Sequence, residues 1–154
     1  MPRDDKRDQW EEALDAVTRM LVEEPFAGYS GRWIQMPPRN VIPKPKQKPH
    51  PPIFLGGETD HTLKRVVEFC DGWFPRPRGG WEPKSAMERL KKAAAAGGRD
   101  MKTLSITVFA APADAAKLAP YREAGIDRVL LEVPDLSRDE ILRVLDKNAA
   151  LVKG

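Results

Sequence analysis

Pro52-Ile53-Phe54-Leu55-Gly56-Gly57-Glu58-Thr59 is the stretch on which the fold of this chain turns. Ile53, Phe54 and Leu55 are apolar without alternation, as expected of a short strand covered on both faces. Two glycines stop it. Thr59 then offers a hydroxyl oxygen to the free N–H groups of a helix start. Leu63, Val66, Val67 and Cys70 follow at the spacing that lines one face of that helix.

Downstream the same unit repeats. Gly72-Trp73-Phe74 reads as a second strand, closed by the loop Pro75 to Trp81. Pro83 suits the first turn of a helix that runs through Met87, Leu90 and Ala94 and stops at Gly97-Gly98. Leu104 to Ala110 is a third strand, and a helix over 113–124, kinked or restarted at Pro120, ends at Gly125. Val129 to Val133 is the fourth strand. Ser137 and Glu140 have capping-box spacing and open a last helix, with Ile141, Leu142, Leu145, Ala149 and Val152 expected inward.

Four strand–helix units in succession require parallel strands joined by right-handed crossovers. The class is α/β. Short strands of this kind suit a TIM (β/α)8 barrel, but a complete one has eight units in about 250 residues. The count gives half a barrel.

Upstream, Trp10, Ala13, Leu14, Val17 and Leu21 mark an amphipathic helix over 8–23, ended by Pro25. Residues 26–52 carry seven prolines, which forbid a helix and disfavour a central strand. They read as an extended connector anchored by Trp33, Ile34 and Met36. The expected organisation is one truncated barrel domain over 1–154, with four βα units in 53–154.

Composition narrows the function classes. With 41% hydrophobic residues the chain can build a core, and 26 Lys plus Arg against 23 Asp plus Glu leave a net charge of +3. That balance, without aromatics interleaved among the bases, excludes a strong nucleic-acid binder. No apolar run reaches the length of a membrane span. The single cysteine, Cys70, rules out an intrachain disulfide and points to a reducing, cytoplasmic setting. It reads as a small buried hydrophobe, not a nucleophile. No His, Cys or Asp group has metal-ligand spacing.

Three stretches resemble the luciferase-like monooxygenase family. They are Phe26-Ala27-Gly28-Tyr29-Ser30-Gly31, the run from Pro43 through His50 to Gly57, and Cys70-Asp71-Gly72-Trp73-Phe74-Pro75. The resemblance spans nearly the whole chain and implies the C-terminal half of that family's barrel, with Ile53-Phe54-Leu55 as its fifth strand. It implies a flavin mononucleotide (FMN) or a deazaflavin (coenzyme F-420) at the strand C-termini. The implied chemistry is monooxygenation or hydride transfer on a small-molecule substrate. The family's catalytic groups lie largely on the first four strands, so no catalytic residue is assigned here.

The candidate cofactor-binding residues are Gly56, Gly57, Thr59, Trp73, Arg76 and Arg78. A glycine turn between a strand and a helix N-terminus lets backbone N–H groups face a phosphate. It also serves as a plain capped turn. Arg76 and Arg78 sit on the next strand-to-helix loop, where they can pair with phosphate or a coenzyme's anionic tail, or simply be solvated. Trp73 reads as a pocket wall or as a core aromatic. Lys44, Lys46 and Lys48 read as solubilising charges, His50 lies at the wrong end of the strand, and His61 belongs to the helix surface. Half a barrel has open strand edges, which predicts a homo-oligomer or pairing with an N-terminal barrel half. The alternative function is a non-catalytic half-barrel acting as a binding or assembly module.

Overall fold

The computed structural model describes residues 3–152 and divides the chain into two compact units, Met1–Pro51 and Pro52–Gly154. In the first unit, helix α1 (Arg3–Val22) begins a turn earlier than its apolar face, extended by charged residues that pair along it, such as Arg7 with Glu11 at 2.6 Å. Ala16 is buried on it, whereas Val17, expected inward, is exposed. The connector is not merely extended. Strands β1 (Tyr29–Ser30) and β2 (Gln35–Met36) form an antiparallel hairpin, continued by a bridge between Phe26 and Arg39. Prolines 37 and 38 follow β2 instead of interrupting it, so the ladder keeps its donors.

Lys44 corrects a reading made from the sequence. Its ammonium donates to the carbonyl oxygens of Met20 and Glu23, at 2.9 and 2.6 Å. It therefore caps the negative end of α1 and is not merely a solvated charge.

The second unit is the parallel sheet the sequence predicts. Strands β3 (Phe54–Leu55), β4 (Gly72–Trp73), β5 (Ser105–Ala111) and β6 (Arg128–Leu131) lie side by side in chain order, every pair parallel. Between them run α2 (Asp60–Phe69), α3 (Pro83–Ala96) and α4 (Ala115–Glu123), and α5 (Arg138–Val152) follows β6. Thr59 caps α2, its side chain accepting from the Thr62 N–H, and Pro83 sits in the first turn of α3 with Glu82 as cap. The Thr59→Ala variant should cost about 1 kcal/mol of unfolding free energy in a urea titration. An unchanged midpoint would mean that water caps this helix equally well.

The register row Leu55–Trp73–Ile106 faces the helices and joins Leu63, Val66, Val67, Met87 and Leu90 in one core. Each such side chain contributes about 1.5–3 kcal/mol when fully buried. A smaller cluster holds Val108, Ala111 and Tyr121, with Val129 and Leu131 against it. By alternation, Phe54, Phe74, Phe109 and Leu130 face the other side of the sheet. There Phe74 and Phe109 meet at 5.6 Å between ring centroids, and Phe109 and Leu130 are exposed.

Two aspartates repeat from one unit to the next. Asp71, just before β4, accepts from the N–H of Ile53, and Asp127, just before β6, accepts from the N–H of Ile106, both at 2.7 Å. Each ties the foot of a strand to its neighbour. Helix α5 departs from expectation. The Glu140 side chain does accept from the Ser137 N–H, as a capping box requires, but Leu142, Leu145, Ala149 and Val152 are exposed. The inward line is instead Ile141, Val144, Asn148 and Leu151. Both lines satisfy a helical period, and periodicity by itself does not choose between them.

Candidate functional site

Chain direction puts the loops after β3 and β4 at the same end of the sheet, the carboxyl end of parallel strands. In such sheets ligands gather there. The first loop is Gly56-Gly57-Glu58-Thr59. Gly57 holds φ +102°, and a Cβ on Gly56 would stand 3.2 Å from the Phe74 carbonyl oxygen. No backbone hydrogen bond among the described residues uses the N–H of Gly57, Glu58 or Thr59. Those three donors at the start of α2 are therefore available to an anion.

Trp73 is placed differently from a pocket wall. It is 1% exposed, packed on the helix side, and its indole N–H donates to the Gly57 carbonyl oxygen at 2.7 Å. It holds the turn from beneath. The acidic groups nearby are managed: Arg89 pairs with Asp60 at 2.6 Å and donates to the Glu58 carbonyl oxygen at 2.8 Å. Arg89 was not singled out from the sequence, where a mid-helix arginine carries no mark of its destination.

On the second loop Arg76 lies over the Phe109 ring at 5.3 Å and pairs with Glu132 at 3.4 Å. Arg78 is exposed, followed by Gly79 and Gly80 at positive φ. The loop thus carries two bases at the sheet's carboxyl end, neither bonded to the glycine turn. One groove of about 600 Å³, lined in part by Lys64, Val67, Ala96 and Arg99, includes neither the glycine turn nor Arg76 or Arg78.

Cys70 is buried, and burial first, then the charge of Asp71, pushes its thiol up to about 11, against the opposing pull of Arg99. A disulfide reagent should label the folded chain far more slowly than the unfolded one; equal rates would contradict the burial. His61 is exposed on α2, and the His50 ring lies in the first unit, 2.9 Å from the Pro51 carbonyl oxygen. No group of three or more His, Cys, Asp or Glu that could hold a metal ion occurs among the described residues. Nor is any described helix long and apolar enough to cross a membrane.

A parallel half-barrel with an unsatisfied glycine turn at its carboxyl end defines a class, the α/β barrels that receive ligands at their strand C-termini. Within that class, the model of the luciferase-like monooxygenases matches residues 1–134, and the chain belongs to that family. Uncharacterised proteins of Mycobacterium tuberculosis and Mycobacterium bovis are each 30% identical over 151 residues. The match takes in 97% of this chain but 52% of either relative, so the chain spans about half their length.

Solved structures with a similar fold include a coenzyme F-420-dependent secondary alcohol dehydrogenase in complex with an F-420–acetone adduct. Its TM-score is 0.63 at 13% identity, over 85% of this chain and 57% of that one. A monooxygenase of Streptomyces bottropensis gives 0.52 at 16% identity, over 99% and 42%. The coenzyme F-420-dependent tetrahydromethanopterin reductase of Methanopyrus kandleri gives 0.51 at 19%, over 69% and 31%.

Proposed function

We propose that this chain supplies the phosphate-anchoring half of a luciferase-like oxidoreductase site for FMN or the deazaflavin coenzyme F-420. The observation that carries the reading is the set of free N–H groups at Gly57, Glu58 and Thr59, on a turn whose φ and close approaches require glycine. Gly56 and Gly57 let a phosphate approach the backbone. Thr59 caps the helix that aims these groups, and Trp73 fixes the turn through the Gly57 carbonyl oxygen. Arg76 and Arg78 add positive charge at the same end, for a second phosphate or an anionic tail. The isoalloxazine or deazaflavin ring, when bound, supplies the redox chemistry; this chain's residues bind and orient. The rest of the barrel wall comes from an N-terminal half or a second copy.

The exposed apolar residues favour the second reading, an assembly module without catalysis. Titration with FMN and with coenzyme F-420, first on the chain alone and then with an N-terminal half added, separates the two. The oxidoreductase reading expects binding in at least the second mixture, competed by inorganic phosphate. It also expects affinity to fall roughly tenfold in the Arg76→Ala, Arg78→Ala double variant. Absence of binding in both mixtures sinks it.

A further inference from the structure

We propose that β6 and α5 form a self-association surface, on which a second copy of this chain lays its own β6 antiparallel across a two-fold axis at Leu130. The inference does not rest on cofactor binding; of the two completions named above, it takes the second copy as the occupant of the β6 edge.

The sheet has two outer strands, and they differ. Strand β3 has two residues and is entered through Pro51-Pro52, which lack the N–H groups a neighbour would need. Strand β6 has four residues, no proline between 120 and 134, and no strand on its outer side among the described residues. The open edge is therefore β6, and an isologous partner meets it with the same strand.

Exposed apolar residues concentrate in β6 and the chain that follows it. Among the described residues ten large hydrophobic ones are exposed, and six of them, Leu130, Val133, Leu136, Leu142, Leu145 and Val152, fall on β6 and the chain after it. The only residue of α5 buried among those described is Asn148, a polar one. An element so thinly covered awaits a partner.

Charge then sets direction and register. Val129 and Leu131 pack on the Val108–Tyr121 cluster, so Arg128, Leu130 and Glu132 share the opposite face. Antiparallel pairing centred on Leu130 sets Arg128 opposite Glu132 of the second copy, twice, with the two Leu130 side chains facing each other between them. Directly opposite residues interact across such a pair, and opposite charges there are favourable. The contact of Glu132 with Arg76, 3.4 Å long with both side chains about half exposed or more, is a weak surface pair that such a partner can replace.

Light scattering on the full chain should show a dimer. The Arg128→Glu and Glu132→Arg variants should each weaken it by roughly tenfold or more, because each change acts at two symmetric pairs. The double variant should restore it. A Leu130→Cys variant should cross-link to itself under mild oxidation, since facing residues lie about 4.5–5.5 Å apart between Cα atoms. Native Cys70, 1% exposed, gives no background. A monomer at every concentration, open-ended oligomers, single variants that still dimerise, or a double variant that does not would each overturn the proposal. So would a Leu130→Cys dimer that fails to cross-link.

Discussion

Trp73→Ala is expected to cost about 3–5 kcal/mol of folding stability, the usual range for deleting a buried tryptophan. A domain of this size has about 5–15 kcal/mol in all, so the variant should lose a large share of its stability and unfold at a much lower urea concentration. The side chain is 1% exposed and meets α2 and α3 residues in the main core. Removing it also leaves the Gly57 carbonyl oxygen without its 2.7 Å donor. Trp73→Phe separates the two contributions. Phenylalanine keeps much of the apolar volume but has no N–H, and an unsatisfied acceptor costs about 1–3 kcal/mol. The Phe variant should therefore stay folded while the Gly56–Thr59 turn loosens. Urea unfolding followed by circular dichroism measures the first effect, and phosphate or FMN affinity the second. If Trp73→Ala costs under about 1 kcal/mol, the core assignment is wrong. If Trp73→Phe is as costly as Trp73→Ala, the hydrogen bond outweighs the packing.

The location of Trp73 also shows what the sequence could carry. The succession of strands and helices, the Thr59 cap, Pro83 at the start of α3 and the Ser137–Glu140 box were legible because each rests on chemistry between near neighbours. The side of the sheet that Trp73 faces was not. Gly72-Trp73-Phe74 is too short for alternation to decide, and only its register with Leu55 and Ile106 does so. The same holds for α5, whose two apolar lines are equally periodic. The donors at Gly57, Glu58 and Thr59 followed from the glycines and the cap, whereas the Arg89 pair with Asp60, 29 residues away, left no local signal. Asp71 and Asp127 did leave one: an aspartate before a strand, repeated in two units.

Glu12 was wholly hidden in the sequence, and its removal should open the β1–β2 hairpin. Its carboxylate accepts from the N–H groups of Arg32, Trp33 and Ile34 at 3.0, 2.9 and 2.7 Å. A helical glutamate thus closes the turn between two strands twenty residues further on. Gly31 is part of the same arrangement, since a Cβ there would collide with the Glu12 carboxylate. Burial raises the pKa of Glu12, but the three N–H groups and the Arg32 charge outweigh it and hold the carboxyl below its ordinary 4.5. A group whose pKa is lower in the folded state stabilises fully above the unfolded value. Its contribution therefore persists down to about pH 4.5 and is lost as pH falls through the lowered value. In Glu12→Ala, amide exchange at Arg32, Trp33 and Ile34 should quicken by roughly tenfold or more at neutral pH, as local opening becomes easier. The wild type should show the same change only in acid, and Glu12→Gln should fall between them because it keeps an oxygen acceptor without the charge. Gly31→Ala should act on the same contact, so combining it with Glu12→Ala should add little. Unaltered exchange at the three amides in Glu12→Ala would leave the hairpin held by its strands alone, and the carboxylate would then be a passenger.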